Sequence, residues 1–361
     1  MQNIYREIAA KAAAGGRLSR EDGLALLRCN DLPWLGHIAD TAKQRHSDDK
    51  VYFNVNRHIN LTNICLAKCK FCAFGCDCKN PQAYFLSKEN VLDLASQAAR
   101  DPDLREFHIV SGLHPDWPFD YYLDIVRSLK AALPHIHLKA FTAVEICHFA
   151  TISGQSVEEV LRTLKAAGLD SMPGGGAEIF SERVRQAICP QKATAAEWLA
   201  IARTAHNLGI PTNATMLYGH IETAEERIDH LLALRKLQDE TGGFQTFLAL
   251  PFLPDNTGLA AEVARVSAWE DLKMVAVSRL MLDNFRHIKA YWVMLTLPVA
   301  QLALGFGADD IDGTVAEEKI GHAAGAKTAL RLSKDTLIAT IRQTGRTPVE
   351  RDSVYNIVKE Y

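Results

Sequence analysis

The 361-residue chain is predicted to fold as an α/β protein on a parallel sheet, and three observations predict it. Short β-rich runs alternate with amphipathic helical stretches from residue 51 onward. No repeat of 20–50 residues, low-complexity tract or Pro/Gly/Ser linker divides the chain. Polar or glycine-rich residues follow one apolar run after another, at the strand ends where ligands sit in such folds. With 48% hydrophobic and 23% charged residues, the composition is that of a globular protein long enough to bury a large core.

Residues 1–50 read as a helical extension, with Ser19 and Asp22 spaced as a capping box before Leu24, Leu26 and Leu27. From Val51 the run VYFNVNRHINL is expected to be one strand leading into a cysteine-rich loop. A helix is expected from Ser87, a strand around Phe107–Gly112, a helix near Tyr121–Leu133, and the strand HLKAFTAVE. A helix near Val157–Ala167 and a short strand into Pro173-Gly174-Gly175-Gly176 come next, then a helix near Ala195–Leu208 and the strand TNATMLYG. Thr223 and Glu226 make a second capping box, and Gly242-Gly243 stops the helix they start. The strand FQTFLALPF, a helix around Trp269–Asn284 and the strand HIKAYWVML complete the alternation. Periodicity alone leaves an open sheet and a closed barrel equally available.

Forty basic and 43 acidic residues give a formal net charge of -3, with the signs interspersed, which speaks against an electrostatic nucleic-acid binder. No run approaches a membrane span, and the first residues, MQNIYREIAAKAAAGG, lack a signal peptide's apolar stretch, so the expected compartment is the cytoplasm. GFGADD is a lone GxG without the rest of a dinucleotide fingerprint, and neither HExxH, a Walker lysine motif nor a nucleophile elbow occurs.

Five of the eight cysteines fall between Cys65 and Cys78, a density that in a reducing compartment reads as metal binding. Cys29, Cys147 and Cys189 stand alone and read as ordinary thiols. In NICLAKCKFCAF, Cys65, Cys69 and Cys72 are spaced C-x3-C-x2-C directly after a strand. Three thiolates on a short loop can ligate three irons of a [4Fe–4S] cubane and leave the fourth iron open to chelate a small molecule. The competing reading is a structural zinc site from Cys69, Cys72, Cys76 and Cys78, a closed set of four thiolates belonging to a binding or interaction module.

The cysteine spacing and its place after a strand resemble the signature of the radical S-adenosylmethionine (SAM) superfamily. That resemblance implies a radical SAM (β/α) barrel, partial or complete and TIM-type, over residues 51–300, with residues 301–361 as C-terminal elements that close the pocket. It implies SAM as co-substrate and reduction of the cluster by a low-potential donor such as a flavodoxin or ferredoxin. Cys76 and Cys78 depart from the family's pattern.

NRHINLTNIC, HPDWPFDYYLDIV, KAFTAVEI, GGGAEIF, TNATMLYGHIET, LQDETGGFQTF and GADDIDGTVAEEKIGHAAGA resemble, in the same order, the futalosine-route menaquinone enzymes and the related deazaflavin synthase. Within that branch YGHIET and the GADDIDGT stretch look like the aminofutalosine synthases, with the cyclase acting on dehypoxanthine futalosine as the alternative. The resemblance implies addition of the 5′-deoxyadenosyl radical to 3-[(1-carboxyvinyl)oxy]benzoate, aryl migration and loss of bicarbonate to give aminofutalosine. The cyclase would use the same radical to abstract hydrogen.

Candidate cofactor-binding residues follow from that substrate set. Phe71 and Phe74 flank the third cysteine and are placed to meet an adenine. Glu145 is expected to hold the ribose hydroxyls or the amine, with Ser111 assisting, and Gly174, Gly175 and Gly176 to allow close backbone approach. Arg185 is expected to receive the cofactor's carboxylate, the alternative being a surface arginine. His114, Tyr218 and His220, after successive strands, are the expected catalytic residues that donate to substrate carboxylates or move a proton. Asp310 and Asp312 are expected to order a substrate loop or a helix start.

Overall fold

The run from Val51 to Leu61 is not one strand. It is interrupted at Val55, which divides it into β1 (Lys50–Asn54) and β2 (Asn56–Ile59), and these belong to two different sheets. The computed structural model, which describes residues 2–361, continues with β3 (Glu106–Ile109), β4 (His137–Ala140), β5 (Thr212–Tyr218), β6 (Phe244–Pro251), β7 (His287–Lys289), β8 (Asp310–Gly313), β9 (Thr347–Arg351) and β10 (Ile357–Glu360). One sheet has the order β10-β9-β1-β8-β7-β6-β5 and the other β2-β3-β4, every pair parallel except β9 with β10.

Two short bridges join the sheets into a ring. Ser171 pairs with Lys139 on one side, and Met172 pairs with Thr212 on the other. At the opposite seam Ala316 pairs with Arg57, and the His58 N–H donates to the Ala316 carbonyl at 2.8 Å. The ring therefore runs β2, β3, β4, Ser171-Met172, β5, β6, β7, β8 and back to β2. Parallel pairing closes it all round, which decides between the open sheet and the barrel. Asn56 holds the second seam, its side-chain oxygen accepting from the Val315 N–H at 2.8 Å and its carbonyl from Thr314 Oγ1 at 2.8 Å.

Residues 2–13, 20–27 and 32–47 form the expected N-terminal helices, and the last of them packs on the helix Ala268–Met281. The Ser19/Asp22 and Thr223/Glu226 capping boxes both form. Three expectations change. HLKAFTAVE is a strand only to Ala140, because Thr142 and Glu145 make another capping box and begin a helix at Ala143. HIKAYWVML is a strand only over His287–Lys289, after which Trp292–Leu295 turns helical. The boundary expected at residue 300 cuts through the sheet, since β8 and β9 come from the C-terminal segment.

Charge is buried behind the sheet as well as within it. Arg279 is fully buried and donates to Asp309 Oδ1 at 2.8 Å and to the Gly307 carbonyl at 2.8 Å. Asp309 also meets His287 Nδ1 at 2.8 Å and accepts from the Ile288 N–H, so one carboxylate ties the helix Ala268–Met281 to β7. Removing one partner of such a pair strands the other charge in the core. Arg279→Met is therefore expected to cost about 3–5 kcal/mol in a denaturant-unfolding experiment, whereas a loss below about 1 kcal/mol would place the pair among weakly coupled surface contacts.

Candidate active site

All ring strands end at the same rim, and the cysteine loop rises from the end of β2. The chain is pinned as it leaves: the Leu61 N–H donates to Ser111 Oγ at 2.8 Å, Asn60 Nδ2 to the Val110 carbonyl at 2.7 Å, and the Gly112 N–H to the Thr62 carbonyl at 2.9 Å. The loop then closes on itself, with the Cys65 N–H on the Cys76 carbonyl at 3.0 Å and the Cys76 N–H on the Asn63 carbonyl at 2.8 Å. Gly112 must lack a side chain, because a Cβ there would lie 2.3 Å from the Ile64 carbonyl oxygen.

Cys65, Cys69 and Cys72 are half-buried free thiols that line one cavity of about 310 Å³ reaching into the barrel. Burial pushes the Cys69 thiol up to about 12 and raises that of Cys72, although the Gly75 N–H donates to Cys72 Sγ at 3.3 Å. Such thiols ionise when a metal supplies positive charge. Cys76 and Cys78 do not line the cavity, and Cys78 is exposed. Only Cys69 and Cys72 of the four thiols in the zinc reading line this cavity, whereas all three thiols of the cluster reading do. Three separate thiols on one cavity wall fit a cubane with one open iron.

Phe71, Phe74, Ser111, Glu145 and Gly174–Gly176 line the same cavity. Glu145 is buried at the start of its helix, where it accepts from the Thr142 N–H at 2.7 Å and the Ser111 N–H at 3.0 Å. Burial pushes its carboxyl up to about 7 despite these donors. Phe141, between β4 and that helix, has a left-handed φ of 62°, an uncommon conformation for an aromatic residue and a local strain at the rim. The glycine run lies tight against its neighbours: a Cβ on Gly174 would sit 2.8 Å from the Asn213 carbonyl oxygen, and one on Gly176 2.4 Å from Val144 Cγ2.

Four expected residues lie elsewhere. Tyr218 is out of phase with the cavity: Asn213, Thr215 and Leu217 of β5 face inward, so strand alternation turns Tyr218 outward, where its hydroxyl donates to Asp271 at 2.6 Å. His220 is enclosed, with Nε2 on the Leu217 carbonyl at 3.0 Å and Nδ1 accepting from the Ile221 N–H at 2.7 Å. His114 is buried outside the cavity, stacked on Trp117 with centroids 4.3 Å apart. Arg185 is a brace, neither cofactor-facing nor on the surface. Its buried guanidinium donates to the carbonyls of Ala177 at 2.7 Å, Ile179 at 3.3 Å and Ala193, and so supports the glycine run from behind.

Residues that, apart from Asp312, the sequence reading did not single out line the cavity instead. Lys192, beside the thiols, pairs with Glu178 at 2.6 Å and lies 5.0 Å from the Phe71 ring centroid. Burial works against its charge, yet Glu178 and the neighbouring thiols hold its pKa above the ordinary lysine value. Inside the barrel stand His58 on β2, Glu106 and His108 on β3, Lys139 on β4, Lys289 on β7 and Asp312 on β8. Lys139 meets Glu106 at 2.7 Å and Lys289 meets Asp312 at 3.0 Å. Burial opposes charge on Glu106, and Lys139 overcomes it, holding the carboxyl below its usual range. Asp310, by contrast, faces away from the cavity and pairs with buried Arg351 at 2.7 Å. The sequence signal for the interior set was a charged or imidazole side chain inside a short apolar run, as in EFHI, HLKA and HIK.

Comparison with known proteins agrees with this geometry. The model of the radical SAM superfamily matches residues 59–234, and that of the CofH/MqnC C-terminal region matches residues 241–360. An aminodeoxyfutalosine synthase of Thermus thermophilus is 49% identical over 98% of this chain and 95% of its own. The chain belongs to the radical SAM superfamily. An aminodeoxyfutalosine synthase of Streptomyces coelicolor is 47% identical over 99% of this radical SAM enzyme and 95% of its own length. A 5-amino-6-(D-ribitylamino)uracil–L-tyrosine 4-hydroxyphenyl transferase of Methanococcoides burtonii is 40% identical over 95% of this chain and 97% of its own. Among solved structures, methylornithine synthase (PylB) superposes with a TM-score of 0.76 at 16% identity over 94% of this chain and 97% of its own. The FeFe-hydrogenase maturase HydG of Carboxydothermus hydrogenoformans gives 0.76 at 17% identity over 98% and 81%. Both share the fold. The family implies a [4Fe–4S] cluster and SAM.

Two expectations follow from the geometry. Anaerobic reconstitution is expected to load about four irons per chain in the wild type and in Cys76→Ser and Cys78→Ser. Loading should collapse in Cys65→Ala, Cys69→Ala and Cys72→Ala, and equal dependence on all five thiols would contradict this placement. Glu145 should give an infrared C=O band of a protonated acid that fades with a midpoint near pH 7 and is missing from Glu145→Gln. A midpoint in the ordinary carboxylate range near 4.3 would contradict the burial argument.

Proposed function

We propose that this enzyme is an aminodeoxyfutalosine synthase that joins the 5′-deoxyadenosyl group of SAM to 3-[(1-carboxyvinyl)oxy]benzoate. The observation that carries the proposal is the continuity of one cavity from the three thiols, past Glu145 and the glycine run, into a barrel lined with cationic and imidazole side chains. Relatives of that name at 47–49% identity over nearly the whole chain support it. When bound, the cluster would supply the electron that cleaves SAM into methionine and the adenosyl radical.

Each group of residues then has a part. Cys65, Cys69 and Cys72 hold the cluster. The Gly174–Gly176 backbone, Ser111 and Glu145 receive the ribose and amino-acid parts of SAM, with Phe71 and Phe74 beside the adenine. Lys192, a cation close to the thiols, takes the carboxylate-facing place first expected of Arg185. The apolar walls formed by Leu248, Leu250, Phe252 and Tyr291 keep water from the reacting carbon. Overall, the C5′–S bond of SAM breaks, one carbon–carbon bond forms between C5′ and the vinyl carbon, the aryl group moves from oxygen to carbon, and the carboxylate departs as bicarbonate with uptake of one water and release of one proton. The electron used to cleave SAM is given back, so that none is consumed. The electron donor is proposed to be a flavodoxin or ferredoxin. No helix among the described residues is long and apolar enough to cross a membrane.

The reduced enzyme incubated with SAM and the enolpyruvyl benzoate is expected to give an adenosine–benzoate adduct by mass spectrometry, with one methionine released per adduct. Free 5′-deoxyadenosine without adduct would instead indicate hydrogen abstraction, as in the dehypoxanthine futalosine cyclase. Turnover only with tyrosine would transfer the enzyme to the 4-hydroxyphenyl transferase group.

A further inference from the structure

The interior of the barrel contains a layer of polar groups, deeper in the same cavity than the thiol loop. Strand register puts His58 beside His108 and His108 beside Lys139, and on the other wall Thr215 beside Leu248 and Leu248 beside Lys289. The layer lies within the strands, whereas the thiol loop, Glu145 and the glycine run come after the strand ends. A substrate held between them has its reacting carbon at the rim and its far end on this floor.

The hydrogen bonding of the layer is incomplete. Lys139 and Glu106 satisfy each other, and Asn54 adds a bond to the same carboxylate. Among the described residues Lys289 makes a single bond, to Asp312 at 3.0 Å, which leaves two of its N–H groups without partners there. His108 has no hydrogen-bond partner among the described residues, its nearest carboxylate oxygen being 3.9 Å away on Glu106. His58, nine-tenths buried, stacks on His108 with centroids 4.4 Å apart, and its Nε2 is buried without a partner among the described residues. Buried polar groups left in this state cost free energy until a ligand meets them.

What the floor would accept follows from its charges. Glu106 and Asp312 each have a lysine. Glu318, the third buried carboxylate near His58 and Tyr291, is held by His322 Nδ1 at 3.1 Å and by the Ile320 and Gly321 N–H groups at 2.8 and 2.9 Å, so an incoming amine finds no free anion. Two ammonium N–H groups and an unpaired imidazole are donors for an anion. Leu248, Leu250 and Tyr291 surround the approach and suit an arene. We propose that this floor is an arene-carboxylate subsite, in which Lys289 and His108 receive the ring carboxylate of the substrate while the enol ether stays at the rim. The inference rests on the synthase reading and adds which end of the substrate enters first and which residues select it.

The test compares 3-[(1-carboxyvinyl)oxy]benzoate with 2-phenoxyacrylate, which lacks only the ring carboxylate, in the reconstituted holoenzyme and in Lys289→Met and His108→Leu. The wild type is expected to favour the dicarboxylate by about 100-fold in kcat/KM, the size of a lost charge-assisted pair of hydrogen bonds. In Lys289→Met the preference should fall to within about three-fold, through KM more than kcat, and His108→Leu should lower it part of the way. A wild type that uses both compounds equally would overturn the subsite without any variant, and so would a folded, iron-loaded Lys289→Met that keeps the full preference. Absence of adduct from the dicarboxylate in the wild type would remove the synthase reading and this inference together. Adduct without preference removes the subsite alone.

Discussion

Closure of the ring at two narrow seams is the constraint on which the rest of the structure depends. Ser171 and Met172 reach β4 and β5 with only a few backbone hydrogen bonds, and Asn56 with Ala316 makes the other join. Without those joins β2-β3-β4 would be a separate three-stranded sheet whose inner face, carrying His58, Glu106, His108 and Lys139, would face water. With them, every strand ends at one rim, and the loops after the strands meet around one cavity. The cysteine loop, the glycine run and Glu145 are neighbours because the ring is closed, although about 110 residues separate Cys65 from Gly176.

The closed ring also explains how an interior can hold so much charge. Two ammonium groups and two carboxylates buried in one barrel would unfold it if left single, since an unpaired buried ion costs several kcal/mol. Here each is matched across neighbouring elements, Glu106 to Lys139 and Asp312 to Lys289. Such pairs add little net stability over an apolar core. Their retention is understandable as preparation for a polar ligand, because preorganised donors in a dry site act far more strongly than the same groups in water. The hydrophobic layer between sheet and helices supplies the stability, with Phe107, Phe141, Phe149 and Trp198 fully buried.

Much of this was legible in the sequence, and the remainder was hidden for definite reasons. The general alternation of strands and helices and the two capping boxes depend on local rules and are found in the structure, and the three thiols of the cysteine loop line one cavity. The break at Val55 was not legible, because an apolar run does not record which strand pairs on which side. The helix after Thr142 was legible in principle from the T-x-x-E spacing, yet the apolar run around it read as strand. Tyr218 shows how a single residue of phase decides a role: the strand was placed correctly, and its alternation then pointed Tyr218 away from the cavity. Arg185 stood at the right distance in sequence, but carbonyls left unpaired by the irregular glycine segment required its donors. Lys139, Lys289 and His108 carried a sequence signal, a charged or imidazole group inside a short strand, that becomes informative once the ring is known to be closed.

Three thiols stand on one wall of a cavity that continues into a charged barrel, and they are proposed to leave one cluster iron to meet SAM. Mössbauer spectroscopy of the iron-57 reconstituted enzyme, with and without SAM, tests this most directly. About one quarter of the iron, one site of a cubane, should shift its parameters when SAM is added while the rest stays unchanged. Four equivalent irons insensitive to SAM would mean a fully ligated cluster and would contradict the account.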